Sequence, residues 1–192
     1  MLNSVFSTTA ILAVTMVISS FAGYAFARFS FPGKTVCYFG IIMFLMIPGF
    51  FTLIPQFMLV KRMGILGTRA GLILPVIATS SVMPVMFFRT HFEGIPGELF
   101  EAAKVEGAGD VKIFTNIVVP LSKAMFGTVA IMVCLLAWNN YIWPLVSLSD
   151  RKLMPVILEL KFISENAKEG MGPVLAGYVI ASIPMILLFA LA

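Results

Sequence analysis

Between Val5 and Ala27 there is no charged residue. A helix of that length crosses the roughly 30 Å hydrocarbon core of a bilayer. Four further apolar runs follow, at about 35–60, 70–88, 121–148 and 173–192. The chain has 192 residues, of which 60% are hydrophobic and 11% charged, where a soluble domain carries roughly 25% charge. These runs predict an all-α integral membrane protein with five helical spans, about 5–27, 35–60, 70–88, 121–148 and 173–192. Residues 1–27 lack a basic start and form too long an apolar run for a cleavable leader, so they read as a span. The fifth run is still apolar at Ala192, which predicts a chain cut within its last span.

This composition argues against a water-soluble enzyme. No nucleophile–base pair, carboxylate pair or metal-ligand spacing stands out, so no catalytic residue, metal site or cofactor is expected. His91 is the only histidine. Cys37 and Cys134 lie in apolar runs and read as small helix residues rather than a disulfide framework. Gly33-Lys34-Thr35 matches the tail of a phosphate-binding loop. That pattern also needs a glycine at position 28, which is Arg, and a preceding strand, so this chain is not expected to bind ATP itself. The net charge of +4 is scattered over loops, which favours anionic lipid headgroups over nucleic acid as its partner.

Along the chain, Ser19, Ser20, Ala22, Gly23, Ala25 and Ala27 give the first span small residues suited to close helix packing. Pro48-Gly49 and Pro55 predict a kink in the second, which reads equally as a pathway-lining helix or a bent packing helix. Trp138-Asn139-Asn140-Tyr141-Ile142-Trp143-Pro144 closes the fourth. Its aromatic residues suit the membrane interface, and Asn139, Asn140 and Tyr141 can either glue helices together or line a polar pathway. A further amphipathic helix is expected around 156–163, within a polar connection from 150 to 172. The lysines and arginines do not fix orientation: six fall on the side of residues 91–120 and seven on the other.

One long segment resists the membrane. Residues 91–123 hold eight charged side chains, Glu93, Glu98, Glu101, Lys104, Glu106, Asp110, Lys112 and Lys123. At roughly 3 kcal/mol per charge at the bilayer centre, burying them costs on the order of 20 kcal/mol. Within this segment Pro96 suits the first helical position, and Glu98 and Glu101 favour the helix start. Leu99, Phe100 and Ala103 are expected on one side. Gly107 can take the left-handed conformation that stops a helix, and Asp110 can cap the next. A short helix, a sharp turn and a second short helix over 111–119 result. Ala102 and Ala103 leave a low surface that another protein can approach, although the segment can also lie in the headgroup region as a connector.

Glu101-Ala102-Ala103-Lys104-Val105-Glu106-Gly107-Ala108, followed by Phe114, Ile117 and Pro120-Leu121, resembles the EAA loop of binding-protein-dependent ABC importer permeases. Further similarity lies in Asn3-Ser4, in 25–33, in Ile47-Pro48-Gly49 with Ile54-Pro55, in Trp138-Asn139 with Trp143-Pro144-Leu145, and in Ala176-Gly177 with Ile183-Pro184. Together these resemble the carbohydrate-uptake group, and within it the smaller maltose-type permease. Two positions depart from the pattern: Glu106 stands where Asp is usual, and Ala124 where Pro is common. Permeases of this group have six spans, so the resemblance implies that the first span and the end of the last are missing here.

The resemblance implies a type I ABC importer transmembrane fold, with residues 1–192 a single, partial permease domain of the bacterial or archaeal cytoplasmic membrane. Residues 91–120 would be the cytoplasmic EAA loop within it. Glu101, Ala102, Ala103, Gly107 and Ala108 would dock on a cytoplasmic pair of ATP-binding subunits. A second, non-identical permease subunit and an extracytoplasmic sugar-binding protein are the other implied partners, and a sugar or oligosaccharide the implied cargo. ATP hydrolysis would belong to the separate subunit. With Lys123 at the mouth of the fourth, the expected spans carry no buried Asp, Glu, Lys, Arg or His of the kind that proton-coupled carriers need. An ion-coupled carrier or channel, and a non-transporting membrane scaffold, are the alternatives.

Overall fold

A computed structural model describes residues 1–165 and 171–191. Residues 166–170 of the expected polar connection, and Ala192 at the end of the expected fifth span, lie outside the described residues. Among the described residues the regular structure is entirely helical. The elements are α1 (Leu2–Arg28), α2 (Lys34–Phe44), α3 (Gly49–Arg62), α4 (Arg69–Ser80), α5 (Val82–Glu93), α6 (Gly97–Val105), α7 (Asp110–Ile113), a π-helical turn (Phe114–Val118), α8 (Val119–Leu121), α9 (Lys123–Trp138), α10 (Ile142–Ser147), a 3₁₀ turn (Arg151–Leu153), α11 (Val156–Glu165) and α12 (Gly172–Leu191).

Among the described residues only Leu2–Arg28 and Gly172–Ala190 are single helices long and apolar enough to cross a membrane, and up to five spans are reached when each of three bent helix pairs counts as one. The breaks have local causes. Pro48, in extended conformation, precedes α3, so the second expected span divides where Pro48-Gly49 predicted a kink. Pro55 is carried inside α3. Pro84 has no N–H for the Ser80 carbonyl one turn back, and α4 ends there. The fourth expected span is shorter than its apolar run: α9 stops at Trp138, and α10 forms a separate short helix.

The chain divides into two compact units. One comprises Val14–Ile47 and Ser80–Ala130. Here α1 lies against the α4–α5 junction and α5 through small residues one turn apart. The Thr15 and Ser80 hydroxyls are 3.4 Å apart, and the Ser19 hydroxyl donates to the Ser81 carbonyl at 3.2 Å. Gly23 then brings the two backbones so close that an added Cβ would stand 2.6 Å from the Phe88 Cβ. Ser20 instead bonds back to Val17 in its own helix. On α5, Arg89 pairs with Glu93 at 2.9 Å and lies 3.7 Å over the Tyr38 ring of α2.

The other unit comprises Met1–Ala13, Pro48–Thr79 and the chain from Ile131 on. The Asn3 amide donates to the carbonyls of Lys152 and Met154. The Ser4 hydroxyl accepts the Val156 N–H at 2.7 Å, capping α11 from a distant part of the chain. Trp138 and Trp143 are buried in protein, at 4% and 3% exposure, rather than at a lipid interface. The Trp143 indole donates to the Gly71 carbonyl at 3.1 Å, satisfying the one donor that burial would otherwise strand.

Candidate functional site

The charged segment folds as a helix–turn–helix. Pro96 sits one residue before the position expected for it: it is the N-cap, with ψ 133°, and Gly97 is the first helical residue. α6 then turns Phe100 and Ala103 inward, each 8% exposed. Leu99 does not join them and is 41% exposed, because only the i, i+3 pair faces the packed side. Glu98, Glu101, Ala102 and Lys104 form the exposed face. Gly107, at φ 79°, ends the helix. Its N–H bonds the Lys104 carbonyl and the Ala108 N–H bonds the Ala103 carbonyl, both at 2.9 Å. This is the Schellman pattern, and it consumes the carbonyls that α6 would leave open.

Asp110 corrects another expectation. Gly109 is the N-cap of α7 and makes no side-chain bond, while Asp110 is already the first helical residue. Its carboxylate therefore acts on the helix dipole rather than as a cap. The amphipathic helix expected over 111–119 is real in extent but passes through π-helical geometry at Phe114–Val118. Ser122, fully buried, marks the corner where the chain turns by 82° into α9.

An aromatic cluster holds this segment. Phe21 of α1 stacks on Phe114 at 4.5 Å, and Tyr24 stands 5.2 Å from Phe114 and 6.5 Å from Phe100. Phe92 and Phe126 extend the cluster from α5 into α9. Of the five residues expected to couple, Glu101 and Ala102 are presented outward, Ala103 is the buried foot of the helix, and Gly107 and Ala108 build its stop.

The three pathway candidates separate. Asn140 lines a cavity of about 320 Å³ together with Thr52, Gln56, Thr79 and Trp143. Its side-chain oxygen accepts the Trp143 backbone N–H at 3.3 Å, and its amide donors make no hydrogen bond among the described residues. Asn139 is exposed and donates to Leu135 in its own helix at 3.0 Å. Tyr141 packs under the Lys161 ammonium, 4.7 Å from its ring. Gln56, Thr52 and Thr79 escaped the sequence reading. They are ordinary polar residues inside apolar runs, and their one sequence signal is that Gln56 directly follows the Pro55 of a predicted kink. No ionisable side chain lines this cavity among the described residues.

The lactose transport system permease protein LacG of Rhizobium radiobacter is 33% identical over 177 residues, which is 92% of this chain and 64% of that protein. The sn-glycerol-3-phosphate transport system permease protein UgpE of Brucella abortus is 30% identical over 191 residues, 98% of this chain and 67% of that protein. The chain thus spans about two thirds of the length of these relatives. A chain from the crystal structure of a bacterial ABC transporter involved in the import of the acidic polysaccharide alginate superposes with a TM-score of 0.85. It is 23% identical, and the match covers 98% of this chain and 71% of that one. That likeness establishes the fold. Residues 15–192 match the family of binding-protein-dependent transport system inner membrane components, and the chain belongs to that family.

Proposed function

We propose that this chain is transmembrane machinery of an ATP-driven importer, moving a neutral sugar or oligosaccharide by alternating access, and that residues 96–110 are its cytoplasmic coupling element. The observation that carries this reading is the two-sided character of α6. Phe100 and Ala103 are buried and fix the helix to its own chain. Glu101, Ala102 and Lys104 face outward without an ion pair among the described residues. A short helix anchored on one face and bare on the other suits a cleft on another protein, and the small Ala102 permits close approach.

The partners in this reading are a pair of cytoplasmic ATP-binding subunits at α6, a second, non-identical permease subunit, and an extracytoplasmic solute-binding protein. The chain then performs no hydrolysis itself; ATP-driven closure of the subunit pair moves α6. Residues 28–34 and 89–120 face the cytoplasm, and 61–69 and 149–165 face outward. The cavity at Asn140 supports a neutral cargo. Its polar groups are two hydroxyls and two amides, which hydrogen-bond sugar hydroxyls without offering a counter-charge to a phosphate.

The test is Ala102→Cys, after replacing Cys37 and Cys134, with cross-linking in native membranes and mass spectrometry of the adduct. The expected product joins this chain to an ATP-binding subunit. An inserted chain that gives no such adduct, or one with lipid alone, removes the coupling role and leaves residues 96–110 as a membrane-surface connector.

A further inference from the structure

At the end of α1 one guanidinium meets three structural parts at once. Arg28 Nη2 donates to the Phe92 carbonyl at 2.6 Å and also to the Ile95 carbonyl. These carbonyls lie at the C-terminal end of α5 and in the link that follows it. Helix ends leave such carbonyls without intrahelical partners, and a cation there also answers the helix dipole. The same guanidinium lies 3.9 Å over the ring of Phe100, the buried anchor of α6. One residue therefore ties the last turn of α1, the end of α5 and the body of α6.

The chemistry is specific to arginine. Its planar fork can lie flat on a ring while its edge N–H groups reach two carbonyls; an ammonium is a point donor and cannot do both. Phe100 also stacks with Tyr24, one turn back on α1, so a displacement of α6 has two routes into the same helix. Gly23, next to Tyr24, fixes that helix against α5 by backbone contact. Loosening the Arg28 clamp would leave α6 folded by its Schellman stop and attached through Ala103, yet no longer rigidly joined to α1.

We propose that Arg28 is a positioning residue that makes α1, α5 and α6 move as one body, so that displacement of α6 is delivered to the long helix α1. This rests on the coupling role proposed above for residues 96–110. Arg28 touches neither the exposed face of α6 nor the cavity at Asn140, and acts through Phe100.

The experiment uses the complete transporter with its partner subunits in native membranes. Two variants are compared with the parent. Arg28→Lys keeps the charge and loses the fork; Phe100→Leu keeps an apolar anchor and loses the ring. Each carries Ala102→Cys for cross-linking, or a single cysteine at Val14, Val17 or Ile18, which are exposed on α1. Maleimide labelling is measured with and without ATP and orthovanadate. The parent is expected to show an ATP–vanadate change in labelling at one or more α1 positions. Both variants are expected to cut that change by about tenfold, the scale of losing charge-assisted hydrogen bonds, with the Ala102 cross-link retained.

A merely structural role would lower cross-link and labelling response together. Loss of the cross-link in both variants therefore overturns the proposal, as does a parental response in both. No response at any α1 position of a cross-linked parent overturns it too. A parent that gives no ATPase cross-link sinks the coupling role itself, and this proposal with it.

Discussion

Asn139 and Asn140 are adjacent and chemically identical, yet the fold gives them different surroundings. Asn139 bonds its own helix at Leu135. Asn140 accepts the Trp143 backbone N–H in the first turn of α10 and lines the cavity with Thr52, Gln56 and Thr79. Sequence places both at the end of an apolar run and cannot divide them, because α9 stops at Trp138 and both lie in the short link before α10, where helical periodicity no longer sets which side a residue faces. This separation predicts unequal effects on sugar uptake. Gln56→Leu removes an amide from the cavity wall without changing backbone bonds, and uptake should weaken by about tenfold, the value of one or two hydrogen bonds to the solute. Asn139→Leu should leave uptake within about twofold, since surface changes away from such features cost at most a few tenths of a kcal/mol. Initial uptake rates against solute concentration decide the matter. Equal loss in both variants would mean that the cavity does not contact the cargo.

Helix α1 shows how an element with no charge until its last residue acquires direction. Thr15, Ser19 and Gly23 recur every four residues and face the end of α4, the break after it and α5 in turn, so the stripe is a close-packing seam. The seam was legible as a composition of small residues; which of them touch was not, since Ser20 turns out to bond its own helix. Gly23 gives the sharpest consequence. In an isolated helix Gly→Ala is favourable by about 1 kcal/mol. Here the new Cβ meets Phe88 Cβ at 2.6 Å and the Arg89 backbone N at 3.0 Å, atoms that no rotamer change can move aside. Gly23→Ala should therefore destabilise the protein by about 1–3 kcal/mol, the cost of overpacking. Thermal unfolding in detergent reads the sign directly; a higher melting temperature for the variant would contradict the close approach. Helix α6 follows the same rule. Its length was readable from Pro96 and Gly107, whereas the exposure of Leu99 depended on which side of the helix its neighbours occupied.

For the whole molecule, membrane residence follows from the apolar runs alone, and the mode of energy coupling is tested at the same scale. The cavity contains no ionisable side chain among the described residues. Two readings of that cavity make opposite statements about the purified chain in liposomes. As transport machinery driven by separate ATP-binding subunits, it should support no sugar flux under a proton or sodium gradient, at a detection limit of about one hundredth of the ATP-driven rate, a difference worth roughly 3 kcal/mol in barrier. Gradient-driven, saturable flux from the chain alone would instead identify an ion-coupled carrier. The assay measures solute accumulation against each gradient in turn, with the complete transporter as the positive control.

The sequence by itself determined the things that depend on composition along a line. Uncharged runs of helical length decide what enters a bilayer, because each buried charge costs several kcal/mol. Pro48, Pro84, Pro96 and Gly107 mark where helices break, because proline removes a backbone donor and glycine admits the left-handed conformation, although Pro55 is carried inside α3. The octapeptide from Glu101 to Ala108 carried the resemblance to a family to which the chain belongs. Only the tertiary structure decided the things that depend on two distant segments meeting. Ser4 caps α11 at Val156; Arg28 clamps Phe92, Ile95 and Phe100; Gln56 joins Asn140 in one cavity wall. The physical reason is that membrane insertion and helix termination are local sums over neighbouring residues, whereas a hydrogen bond or a cavity needs directions in space that packing alone supplies.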